Sequence, residues 1–320
     1  MTEMISYLNF HNESIKFENF DVNTNYSFDG FFKGYSTEWV LRKLNGKPFK
    51  IYEKLPFVLH DQYINDFKQF FEPSNFYRNV VTICSIAEKD LRNLEGYLTI
   101  LYEYIEHALS YSMIEGKTRF VVYEFNLKRT TYCLKKPWVS AIGNAFVIRA
   151  LTRIYLLNRD KYILSLIREY SRPFFKINSS GKKISGKWFT WVDEDNFLWF
   201  DEYPGDDGWP SLVLNGHIHS LYALHCLLMI LPEGLERQSY LDLLRAGLTT
   251  MKHNSLKFRR AGKFNSYSLR EKDKDDYLPD RTVRQQLELH KMTGESVFKM
   301  NAEIFSSDIM IYSKNLKKFN

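Results

Sequence analysis

Six apolar side chains, Leu91, Leu94, Leu98, Leu101, Ile105 and Leu109, recur at three- and four-residue steps. An α-helix puts residues so spaced on one face, and that face must be buried against other elements. A long amphipathic helix over 88–111 is therefore expected. The period then returns along the chain. Pro137 is read as the start of a helix to about Leu157, with Ala141, Ala145, Ile148, Leu151, Ile154 and Tyr155 on its inner side. Further helices are expected over 159–174, closed by Pro173, over the very apolar 213–232, over 237–254, from near Thr282, and over 295–318. Between them, Phe120–Phe125 reads as a strand. Residues 176–200, with Gly181, Gly186, Trp188, Trp191 and Trp199, read as short strands and turns. Successive helix pairs with strand-bearing loops at one end predict a mainly α fold, an (α/α) barrel or toroid, over 76–320. No short internal repeat marks it. Residues 1–75 lack this period and carry turn signals such as Asp29-Gly30 and Asn45-Gly46. They are expected to form a small β-rich or irregular region, with Pro73-Ser74 as boundary and helix start.

Composition narrows the class of partner. Phe, Trp and Tyr make up 16% of the 320 residues, and Tyr alone counts 21. Aromatic faces suit a core and also the apolar faces of sugar rings. The net charge of +6 permits steering of an anionic partner. No block of five or six like charges is present, which argues against a nucleic-acid tail. Lys314, Lys317 and Lys318 read as a solvated end. Cys84, Cys133 and Cys226 are odd in number and widely spaced, so they are expected to be buried thiols rather than a disulfide framework or a zinc site. No apolar run approaches the ~20 residues of a membrane span. The first residues lack a basic start and an apolar signal core. A cytoplasmic protein is expected, at most peripheral to a membrane, or a chain whose targeting segment has been removed.

Four motifs follow in order. The first is Pro137-Trp138-Val139-Ser140-Ala141-Ile142-Gly143-Asn144-Ala145, continuing to Arg153-Ile154-Tyr155-Leu156-Leu157. The second is Glu202-Tyr203-Pro204 followed by Val213-Leu214-Asn215-Gly216. The third is Tyr267-Ser268-Leu269-Arg270, and the fourth is Gln286-Leu287-Glu288-Leu289 with Val297-Phe298-Lys299. Together, over about 137–318, they resemble the C-terminal catalytic domain of the D-glucuronyl C5-epimerases. The stretches from Pro204 to Asn215 and from Tyr277 to Gln286 are each about two residues longer than the family pattern. The large β-rich N-terminal region of the animal enzymes, which brings a further active-site Tyr, is much reduced, and no residue of 1–75 is assigned to that role.

The resemblance implies an α/α toroid that inverts hexuronic acids within an anionic, heparosan-type polysaccharide, with no cofactor and no metal. A hexuronate C5–H is acidic because the C6 carboxylate delocalises the carbanion. Inversion needs a base on one face of the ring and a donor on the other, each within hydrogen-bond reach of C5. Tyr can serve when a cation lowers its pKa, and Glu when burial raises it. An Arg aimed at the carboxylate lowers the barrier. Carried over, Glu202, Tyr203, Tyr267 and Tyr277 are the catalytic candidates; Arg270, the carboxylate clamp, and Asn215 are the substrate-binding candidates, with Asn215 in a supporting place where it caps or orients the turn at Gly216. Tyr203, Tyr267 and Arg270 should line one cleft with Glu202 at its wall, and Tyr277 should approach from the other side. Three alternatives stay open. Asp201, Glu202, Asp206 and Asp207 could supply a glycosidase carboxylate pair. A lyase would form the same carbanion and expel the C4 substituent. A glycan-binding protein would keep the fold without the chemistry. His217, His219 and His225 invite a metal reading, but no carboxylate or Cys completes a ligand spacing. A homodimer is left open.

Overall fold

The computed structural model describes residues 15–25, 71–128, 133–179, 186–205, 208–271, 276–277 and 279–316. Asp29-Gly30, Asn45-Gly46, Gly181, Asp206, Asp207, Lys317, Lys318 and the side chain of Lys314 lie outside the described residues.

Eight α-helices run through the described residues: α1 (Pro73–Ala87), α2 (Leu94–Ser110), α3 (Ala141–Asn158), α4 (Lys161–Ser171), α5 (Leu214–Ile230), α6 (Leu235–Asn254), α7 (Pro279–Thr293) and α8 (Ser296–Leu316). Helix α1 opens as Pro73-Ser74 predicts, with the Glu72 carboxylate accepting from the Ser74 N–H and Pro73 in the first turn. Asp160 caps α4 by accepting from the Tyr162 N–H. Helix α1 packs on α3 and α3 on α5, while α2, α4, α6 and α8 each return against α1, α3, α5 and α7. This is the toroid layout, an inner row of alternate helices with their partners outside. The sequence carries the distinction: α5 is apolar on nearly all sides and buried on nearly all sides, whereas α2 buries only one stripe.

Strands link the helices. They are β1 (Ser112–Glu115), β2 (Thr118–Tyr123), β3 (Leu127–Lys128), β4 (Cys133–Leu134), β5 (Trp138–Val139), β6 (Ile177–Ser179), β7 (Thr190–Val192), β8 (Leu198–Phe200), β9 (Asn265–Ser266) and β10 (Asp276–Tyr277). They form the sheets β1-β2-β5, β6-β7-β8, β3-β4 and β9-β10. Asn144, inside α3, explains part of the first motif. Its Oδ1 accepts from Val121 N at 2.9 Å, and its Nδ2 donates to Arg119 O and Tyr170 O, fastening β2 and α4 to α3.

Three expectations are corrected. The helix expected from Pro137 begins at Ala141, because Trp138 and Val139 stay extended to pair with Tyr123 and Val122. The helix expected from 88 begins at Leu94, after a 3-10 turn that leaves Leu91 exposed. Of the three thiols, only Cys84 is buried, while Cys226 is half-buried and Cys133, on the short β4 hairpin, is exposed.

Residues 15–25 lie across the helices as a strap. Glu18 N donates to Thr249 Oγ1 on α6, Asn23 N to Met292 O on α7, and His225 Nε2 on α5 to Asn23 O. Phe20 is buried beneath the strap against Phe298.

Candidate active site

The second and third motifs are brought together by backbone pairing. Leu214 N donates to Tyr267 O, Leu269 N donates to Leu212 O, and Val213 bridges Ser268. Ser268 Oγ adds a short bond to Ser211 O. The first motif joins the same place. Ala141 N donates to Asp201 O at 3.0 Å, and Ser140 Oγ donates to Glu202 O at 2.6 Å instead of capping its own helix. Trp138 stacks on Tyr123 with centroids 4.1 Å apart and leans on Tyr203 at 5.9 Å.

Four candidate residues meet there. The Tyr267 hydroxyl donates to Glu202 Oε1 at 2.7 Å, and the Tyr203 and Tyr267 hydroxyls are 3.3 Å apart. The Tyr277 ring lies 5.7 Å from that of Tyr267, so Tyr267 is the middle member of a row. Tyr203 and Tyr267 are half-buried, while Glu202 and Tyr277 are buried. Burial first, then the negative charge of Glu202, pushes the Tyr267 phenol well above 10. Burial also raises Tyr277, against the charge of Arg281. Both phenols are therefore protonated donors near neutral pH.

Gly216, in the first turn of α5, is required by this approach. A Cβ there would stand 2.5 Å from the Glu202 Cβ and 3.2 Å from its Cα. Asn215 does not cap the turn, because Val213 occupies the cap position. Asn215 Oδ1 instead accepts from Tyr277 Oη and Gln285 Nε2, each at 3.0 Å, and so fixes the second Tyr from across the site.

Asp201 behaves differently from Glu202. Its carboxylate is fully buried and accepts from Ser211 N, Ser211 Oγ and Leu212 N. Burial pushes it up to about 6, against these bonds and the charge of Arg270. Leu212 holds a left-handed φ of 52°, gripped on both sides by Asp201 and Leu269. Asp201 thus anchors Ser211 and Leu212 beside the site; of its partners in the glycosidase reading, Asp206 and Asp207 lie outside the described residues.

Arg270 donates from Nη1 to Trp209 O at 3.3 Å, so its guanidinium lies on the loop that also bears Tyr203. The three histidines have protein partners. His217 Nδ1 accepts from Phe200 N while Nε2 donates to Gly247 O, and burial lowers its pKa to about 4. His219 packs on Phe146 beside Arg149, and His225 holds the strap. Sequence reasoning missed Gln285, Ser140, Ser211 and Tyr123. Tyr123 is buried within the electrostatic reach of Glu202. Its only sequence signal is the strand pattern, which marks it as core.

Residues 116–310 match the family model described as D-glucuronyl C5-epimerase C-terminus. The chain is also similar to an unsaturated glucuronyl hydrolase from Streptococcus agalactiae, with 13% identity and a TM-score of 0.41. That match covers 74% of this chain and 57% of the hydrolase. Among the described residues no helix is long and apolar enough to cross a membrane.

Proposed function

Since this chain belongs to the family of D-glucuronyl C5-epimerase C-terminal domains, a family of carbohydrate-acting enzymes, we propose that it inverts C5 of hexuronic acid residues within an anionic polysaccharide, without cofactor. One observation carries the reading. Residues from two distant segments, Glu202-Tyr203 and Tyr267, converge so that a carboxylate and two phenols share one hydrogen-bonded row, in which Tyr203 and Tyr267 are half-buried as whole residues. A neutral phenol bonded to a carboxylate can act as a base by relay. As the C5 proton moves to Tyr267 Oη, the Tyr267 proton moves to Glu202, and no free phenolate is needed. Negative charge then gathers on the substrate carboxylate, where Arg270 is the proposed clamp.

Reprotonation from the other face needs a second donor. Two groups each ~3 Å from C5 on opposite faces stand ~6 Å apart. Tyr203 and Tyr267, at 3.3 Å, belong to one face, which leaves the other to Tyr277. The same short separation favours a second reading. A lyase can remove the C5 proton and protonate the departing C4 oxygen from one side, for which this pair suffices. Incubation of hexuronate polysaccharides in heavy water separates them. Deuterium at C5 with intact chains supports epimerisation, a new ultraviolet-absorbing unsaturated end supports the lyase, and neither product overturns both.

A further inference from the structure

The loop between Tyr203 and Asn215 carries one large aromatic ring into solvent. Trp209 is 51% exposed, an unusual state for an indole beside a buried polar site. Its ring is not isolated. Trp191 lies 6.1 Å away and Trp188 a further 5.6 Å on, and both of these are buried, so Trp209 is the exposed end of a supported row. Its backbone is fixed as well. The Trp209 carbonyl accepts from Gly205 N at 3.1 Å and from Arg270 Nη1 at 3.3 Å. The indole is thereby held on the same loop as Tyr203, next to a cation.

We infer that Trp209 is the stacking platform of a flanking sugar subsite, taking the polysaccharide residue next to the one that reacts. A pyranose has an apolar face of C–H groups and a polar rim, which an indole with an open face complements. The neighbouring guanidinium suits a polymer that carries a carboxylate on the adjoining ring. The platform costs little ordering on binding, because Trp191 and the two bonds to its carbonyl already hold Trp209. This inference rests on the proposed hexuronate substrate, but it concerns chain binding rather than the proton transfer.

The test uses the full chain with hexasaccharides of alternating glucuronate and N-acetylhexosamine, and with methyl glucuronide, which has no neighbouring sugar to fill the subsite. Affinity is read by calorimetry and turnover by C5 deuterium uptake. Trp209→Ala should weaken hexasaccharide binding about tenfold, the scale of one well-packed aromatic contact, and Trp209→Phe should recover most of it. The penalty on kcat/KM should vanish when the hexasaccharide is replaced by methyl glucuronide, which a merely structural role of Trp209 would not produce. If wild type shows no C5 exchange yet binds the hexasaccharide, and Trp209→Ala weakens that binding, the subsite stands while the epimerase reading fails. Equal hexasaccharide affinity in wild type and Trp209→Ala overturns the subsite, as does a penalty independent of chain length.

Discussion

Asp201 and Glu202 are neighbours in sequence, yet they occupy two different regions. They follow β8, where successive side chains point to opposite sides. Asp201 enters a sealed socket in which backbone and hydroxyl donors of Ser211 and Leu212 fill its acceptor sites. Glu202 enters the tyrosine row, where its partner is a phenol with a half-buried ring. The difference shows what separates a carboxylate that builds a site from one that can work in it. The first is surrounded by donors fixed in the backbone, and the second by a group that can itself exchange a proton.

The comparison breaks most sharply in turnover. Glu202→Gln and Tyr267→Phe should each lower C5 exchange by ~100-fold or more, the scale of a general acid–base group, with near-normal folding. Tyr203→Phe tests the same row. Full activity in all three would remove the row from the chemistry. Asp201→Asn should act on stability. An amide group facing Ser211 N–H replaces a charged acceptor with a donor, at a cost of about 2–3 kcal/mol by denaturant unfolding. Equal destabilisation by Glu202→Gln and Asp201→Asn would erase the distinction between socket and row.

Smaller effects sharpen it. Arg270→Ala should weaken both binding and turnover, about tenfold together, because the clamp meets the substrate carboxylate before and during the transition state. Lys at 270 should recover only part, lacking the planar fork. Gly216→Ala should cost about 1–2 kcal/mol, since overpacking against Glu202 outweighs the gain in helix propensity, and should also lower turnover by displacing Glu202. The last effect is in pH. Asp201 is raised from 3.8 to about 6 in the folded chain, so folding favours its protonated form. Its contribution is full below pH 3.8 and is lost as pH rises through about 6. Melting temperatures of wild type relative to Asp201→Asn should fall across that window, and a flat difference would place the Asp201 pKa elsewhere.

The helical period over Leu94–Leu109, the apolar continuity of α5 and the ordered motifs made the fold class and the family legible. Those signals are local, because burial of one face imposes a period on nearby residues. Glu202, Tyr203, Tyr267 and Tyr277 could be named in advance through the family resemblance, and the structure places them in one row. Which neighbour each would face was not legible. Asn215 looked like a turn residue and is instead the acceptor that holds Tyr277, because a residue in the first turn of α5 meets Gln285 of α7 only after the two helices dock. Tyr123 and Ser140 carry no pattern distinguishing them from core and cap, and their place beside the site depends on β2 and the start of α3 meeting the 201–203 segment that follows β8. The sequence by itself determined the periodic helices, the short aromatic strands and the set of chemically capable side chains. Only the tertiary structure decided that Asp201 anchors while Glu202 faces the phenols, because hydrogen-bond partners more than 50 residues apart, such as Glu202 and Tyr267, are chosen by packing across the inner helices and leave no local pattern in the chain.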